Sequence, residues 1–284
     1  MSLLGLDAYG DEQVLLWWGS MSLVALLNLF LWGYAAWRVR DHVGSPHFRY
    51  RVYQALLSGI YVLGTGSRSL VIRADVQRFS MVDTWLANVA VGRSIATVAE
   101  LSFALQWRLL LGLVGERDRS LPIQLVARWL LPIIVAAEVC SWYAVITTNY
   151  LGNAIEESLW TLAVVLVAAA LSYTYRDLSP RRQQFIRWLM PASLLYVGFM
   201  VSTDVAMYVT RWLEDEATAR RYHGLAEGLE DTLRYVVTRR WHDWREEVAW
   251  TSLYFTTAVW GSILLIHFPR FGHGRGSSEP SSGE

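Results

Sequence analysis

The chain has 284 residues, 54% of them hydrophobic, and its 25 basic and 25 acidic residues balance to a formal net charge of zero. That balance argues against a nucleic-acid-binding surface. All the basic residues are arginine, which excludes a retinal held as a lysine Schiff base, and the single cysteine, Cys140, excludes an intrachain disulfide.

The apolar residues fall into seven runs, 14–37, 51–72, 84–113, 122–147, 155–175, 185–210 and 247–268. A helix needs about 20 such residues to cross ~30 Å of hydrocarbon. Runs such as 159–171 do not alternate, so they do not read as barrel strands. The expected fold is all-α: one polytopic bundle of seven transmembrane helices, occupying residues 1–270, in the plasma (inner) membrane.

In chain order, residues 1–13 carry no arginine, and the first, Arg38, follows the first span, so no cleavable signal peptide is expected. The loops 38–51, 108–128 and 176–187 hold four arginines each, whereas 72–84 and 147–154 hold two and none. The positive-inside rule then predicts an outer N-terminus and a cytoplasmic C-terminus. Tryptophans fit interfacial belts, with Trp17, Trp18 and Trp85 outside and Trp37, Trp107 and Trp129 inside.

The second span carries Tyr61, Gly64 and Arg68 on one face. The connection after it, 68–85, is a mixed-charge rim. Arg68, Arg73 and Arg78 there are candidates for an anion such as a lipid phosphate, unless local salt bridges use them. In the third span Arg93 and Glu100 stand seven residues apart, two turns on one face, with Ala96, Thr97 and Ala104 beside them. Small and polar residues let helices approach and hydrogen-bond, so this face is expected to point into the bundle.

The fourth span brings Glu138, Ser141 and Trp142; Pro132 before them predicts a kink. The fifth opens with Asn153, Glu156, Glu157 and Trp160. The sixth carries Asp204, Tyr208 and Arg211 at i, i+4 and i+7, with Pro191 earlier in the span. Between the sixth and seventh spans, Leu225, Leu229, Leu233 and Val236 predict an amphipathic outer segment within 214–240. The seventh begins with Glu246 and Glu247, and the Gly/Ser-rich tail 271–284 is expected to be disordered in the cytoplasm.

At ~1.5 Å per residue, Glu157 lies within ~5 Å of the outer boundary, Arg68, Arg93 and Asp204 near ~10 Å, Glu138 near ~15 Å and Glu100 near ~20 Å. The inner halves show no such residues, so a pocket open to the outside is expected rather than a channel. Each such charge costs ~2.5–3.5 kcal/mol at mid-bilayer, which argues that they face one another or water. Arg68 and Arg93 against Glu100, Glu138, Glu157 and Asp204 leave two carboxylates over. Those two either carry protons or share a hard cation.

None of the six histidines lies mid-span, so a bis-histidine haem is disfavoured, and HExxH is absent. The leading expectation is a membrane enzyme acting on a lipid-like substrate. Glu100, Glu138 and Asp204 would be its acid/base groups, and Arg68, Arg73, Arg93, Thr97, Trp142, Glu157 and Tyr208 would bind. The alternatives are a ligand-binding sensor or assembly subunit with a membrane-protein partner or a second copy, and a proton- or cation-coupled transporter.

Overall fold

The structure, a computed structural model, describes residues 3–117, 119–173 and 180–268; the start of the 176–187 loop and the tail 271–284 lie outside the described residues. The helices are α1 (Leu3–Arg38), α2 (Phe48–Leu70), α3 (Val89–Arg117), α4 (Leu121–Thr147), α5 (Tyr150–Tyr173), α6 (Pro180–Phe199), α7 (Val205–Ala217), α8 (Leu225–Asp231), α9 (Trp241–Trp244), α10 (Val248–Leu253) and α11 (Val259–Leu265). A π-helical segment, Met200–Asp204, joins α6 to α7, and another, Tyr254–Ala258, joins α10 to α11, so each set reads as one rod.

Among the described residues, six stretches are helical, long and apolar enough to cross a membrane: 11–42, 89–116, 121–147, 150–173, 186–217 and 248–265. The protein is therefore a multi-pass helical membrane protein. α2, expected as another span, is not among the six. Its 23 residues would reach about 35 Å, but its hydropathy is lowered by Arg51, Gln54, Ser58, Arg68 and Ser69. All five are buried, because α2 packs between α1 and α3 and turns its polar side inward.

Consecutive helices pack side by side from α1 to α5. Gly152 allows the tightest of these approaches: a Cβ there would meet Cys140 O at 2.5 Å and Ala144 Cβ at 2.8 Å. The α6–α7 rod leans on α5, whereas the α10–α11 rod packs on α1, α2 and α3. Among the described residues, these two rods share no packed interface with each other.

The end of the bundle where α2 connects to α3 and α7 to α10 carries a folded cap. Strands β1 (Arg73–Ala74) and β2 (Phe79–Ser80) pair antiparallel, with Arg73 opposite Ser80, and β3 (Val236–Val237) joins β2 in parallel. The bundle is helical as expected, and this small sheet of two-residue strands is confined to the cap. In the mixed-charge 68–85 connection, salt bridges use the arginines, Arg68 and Arg73 on Asp75 and Arg78 on Asp231. Arg78, at φ 61°, is buried, and its guanidinium donates to Asp231 Oδ2 at 2.8 Å, Asp75 O at 2.6 Å and Val145 O at 2.8 Å. A non-glycine residue in the left-handed region costs of order 1 kcal/mol; the three bonds, of which the one to Val145 O ties the cap to α4 and the one to Asp231 ties it to α8, offset it. Within the outer segment 214–240 the structure has the end of α7, the short α8 and β3. Leu225, Leu229, Leu233 and Val236 are all exposed.

At the opposite end the interior is polar without being charged. Gln54, Gln106, Ser58 and Ser262 are wholly buried there. Gln106 Nε2 donates to Gln54 Oε1 at 3.1 Å and to Ser262 O at 3.2 Å, Ser262 Oγ donates to Gln106 Oε1 at 2.5 Å, and Gln54 Nε2 donates to Gln106 O at 3.0 Å. Uncharged amides pass unnoticed in a search for intramembrane charge, yet they tie α2, α3 and α11 together. Gln106→Ala leaves Gln54 and Ser262 short of partners, which costs ~1–3 kcal/mol. Thermal unfolding in detergent should show a clear drop, and an unchanged midpoint would contradict this account of the network.

Candidate functional site

The site is built around Arg93, one turn into α3. Its Nη2 lies 3.3 Å from Glu100 Oε2 on the same helix, 2.8 Å from Glu138 Oε2 on α4 and 3.1 Å from Glu156 Oε1 on α5. All four residues are buried. A single nitrogen thus holds three carboxylates from three helices. The face read from the Arg93–Glu100 spacing points into the bundle as expected.

Supporting bonds fix the geometry. Thr97 Oγ1 donates to Glu138 Oε2 at 2.6 Å, and Trp142 Nε1 donates to Thr97 Oγ1 at 3.1 Å. Asn153 Nδ2 donates to Glu156 Oε2 at 3.2 Å. Arg68 reaches Glu100 Oε1 at 3.8 Å and Asp75 Oδ2 at 3.6 Å, so it links the cluster to the cap. Arg73 donates from Nε to Asp75 Oδ1 at 3.4 Å and from Nη1 to Leu86 O at 3.0 Å. Its guanidinium lies against Gly92 in the space a Cβ would fill. In the cap, burial opposes ionisation of Asp75, but the charges of Arg68, Arg73 and Arg93 outweigh it and hold that carboxyl below the usual aspartate range.

Beside this cluster runs a cavity of about 610 Å³. Its polar end is lined by Arg68, Arg73, Asp75, Arg93, Glu100, Asn153, Glu156, Glu157, Asp204, Tyr208 and Glu247. Away from the cap its wall becomes apolar, with Phe103, Trp107, Leu130, Trp160, Val167 and Leu189. From Arg93 to Trp107, α3 runs about 21 Å at ~1.5 Å per residue, so the cavity is a slot parallel to the helices. Leu195 and Leu253 line it too, yet they are 76% and 44% exposed, so the slot opens sideways where the α6–α7 and α10–α11 rods fail to pack. Both π segments border it, through Met200 and Asp204 on one side and Tyr254, Thr257 and Ala258 on the other. Such interruptions occur frequently at functional sites.

The structure therefore sorts the sequence candidates. Arg68, Arg73, Arg93, Glu100, Glu157, Asp204 and Tyr208 line the slot; Glu138, Thr97 and Trp142 do not, and stand behind Arg93. Glu157 and Asp204 have no ion-pair or hydrogen-bond partner for their carboxyls among the described residues, and Asp204 Oδ1 is buried. Arg211 leaves Asp204 alone and joins Glu246 at 2.5 Å and Glu247 at 3.4 Å, while Glu247 also accepts from Trp250 Nε1 at 2.6 Å.

Glu156 was passed over in favour of Glu157. The missed signal was its register with Gly152, Asn153, Ala163 and Val167, which form the buried face of α5. The oxygens with metal-ligand spacing belong to Glu100, Glu138 and Glu156, which lie within 4.8 Å of one another. Of the metal set read from sequence, Glu100 and Glu138 belong to that group while Glu157 and Asp204 fall outside it, and Arg93 Nη2 already holds the point on which the three oxygens converge. Comparison of the chain with protein-family models, curated proteins and solved structures finds no match.

Removing one partner from a buried ion pair costs ~3–5 kcal/mol. Arg93→Met should therefore lower stability by about that much in detergent melts, and Arg93→Met/Glu138→Gln should recover part of the loss. Additive effects of the two changes would show that the residues are not coupled.

Proposed function

We propose that the protein is a seven-helix membrane enzyme, N-terminus outside and C-terminus in the cytoplasm, that draws a lipid-like amphipath sideways from the outer leaflet of the plasma membrane. The cap end is then the outer face, and α2 is the seventh crossing helix. The substrate's tail lies along Phe103, Trp107 and Leu189, and its head meets Glu157 and Asp204. One observation carries this reading: a single slot is apolar at one end and holds unpaired carboxyls at the other.

The chemistry is assigned by elimination. Glu100 and Glu156 are held by Arg93, and Glu138 stands off the wall, so these residues set the field and the geometry. Glu157 and Asp204 are free to take and return a proton, which is the requirement for general acid/base work. Positioned proton transfer contributes roughly 10²–10⁴-fold to rate. A second reading is a sensor that binds without transforming: Ser94 Oγ donates to the backbone at Ala90 O, and Thr97, whose Oγ1 donates to Glu138, stands off the slot wall. Transport is the weakest reading, because the glutamine and serine network spans the helices at the far end of the slot.

Native mass spectrometry of the protein extracted gently from its membrane should reveal a bound lipid-like molecule. Incubation in bilayers containing that lipid, with mass analysis of the lipid pool, should reveal a product. Asp204→Asn and Glu157→Gln should each lower turnover by roughly 10²–10⁴-fold at saturating lipid. A bound lipid that wild type leaves unchanged selects the sensor; the absence of any bound amphipath defeats both readings.

A further inference from the structure

We infer that the head group taken by the slot is cationic, an ammonium seated between Glu157 and Asp204. The inference rests on the slot being an amphipath site, and it reverses the sequence-based expectation of an anionic head on arginine.

The charges on the wall decide the sign. Three arginines line the slot, Arg68, Arg73 and Arg93, against six carboxyls, Asp75, Glu100, Glu156, Glu157, Asp204 and Glu247. Every one of those arginines already has a carboxylate within 4 Å. The unmatched hydrogens on Arg73 Nη2 and Arg93 Nε sit on neutralised guanidiniums, which suit a neutral ester or hydroxyl oxygen better than an anion. The unmatched acceptors are a different case. Glu157 is unpaired and feels the neighbouring charge of Asp204. Asp204 is 5% exposed with Oδ1 lacking a donor, and Asn153, at 8% exposed, presents an unpartnered Oδ1 on the same wall. Buried acceptors that no protein donor reaches suit a ligand that donates.

The remaining wall fits the same ligand. Tyr196, Phe199, Tyr208, Trp250 and Tyr254 line the slot with those carboxyls. Aromatic faces around a desolvated cation attract it through their quadrupoles, and quaternary ammonium groups are recognised in this way. An ammonium bearing an apolar chain satisfies the carboxyls, the rings and the apolar end of the slot together.

The test uses full-length protein in an uncharged maltoside detergent and three probes of equal chain length: dodecylammonium, dodecanol and dodecyl phosphate, all below their micellar concentrations. Binding is read by native mass spectrometry and by tryptophan fluorescence. Dodecylammonium should bind at least about tenfold more tightly than either of the others. Glu157→Gln/Asp204→Asn should abolish that preference while leaving dodecanol binding as in wild type, which also shows that the variant is folded. Equal affinities, or a preference for the phosphate, overturn the cationic assignment and leave the amphipath slot standing. Failure of all three probes to bind overturns the slot itself.

Discussion

Three carboxylates on one guanidinium nitrogen set the frame of this protein. Arg93 cannot lose its charge at any accessible pH, and Glu100, Glu138 and Glu156 surround its Nη2 from α3, α4 and α5. In a medium that solvates ions poorly, such groups must find one another. Their convergence fixes the rotation of three helices about their axes, and Gly152 makes it possible by letting α5 close on α4 one turn before Glu156. The cluster adds little net stability compared with apolar packing of equal volume. What it supplies is register, and a rigid charged wall against which other groups can be left unpaired.

The cap and the slot follow from that wall. Arg68 extends the cluster to Asp75, and Arg73 and Arg78 carry the contact on to the helix ends and to Asp231. The cap thereby closes one end of the slot, and the buried amides of Gln54 and Gln106 stand at the other. Two rods that each contain a π segment border the slot on its side and, among the described residues, share no packed interface.

Much of this was legible in the sequence because charges inside apolar runs are conspicuous. The Arg93–Glu100 spacing placed both residues on an inward face, and simple charge counting required two carboxylates to be left without arginines. Structurally those two are Glu157 and Asp204. What could not be read has physical causes. Glu156 and Glu157 differ by one residue, about 100° of helix rotation, and only the packing of α5 on α4 decides which of them meets Arg93. Gln54 and Gln106 carry no charge to betray their burial. A π segment has no compositional signature, and Arg78 looks like any loop arginine until its three acceptors are in place. α2 reads ambiguously because the polar residues that lower its hydropathy are the ones it turns inward.

The central claim is the contact of one guanidinium with carboxylates from three helices. It can be measured directly in bilayers by solid-state NMR recoupling between arginine guanidinium nitrogens labelled with nitrogen-15 and glutamate side-chain carboxyls labelled with carbon-13. The account predicts an arginine signal coupled strongly to several glutamate carboxyls, absent in Arg93→Met and weakened stepwise by Glu100→Gln, Glu138→Gln and Glu156→Gln. An Arg93 signal that couples to no more than one carboxyl, or that survives all three glutamate changes undiminished, would contradict it.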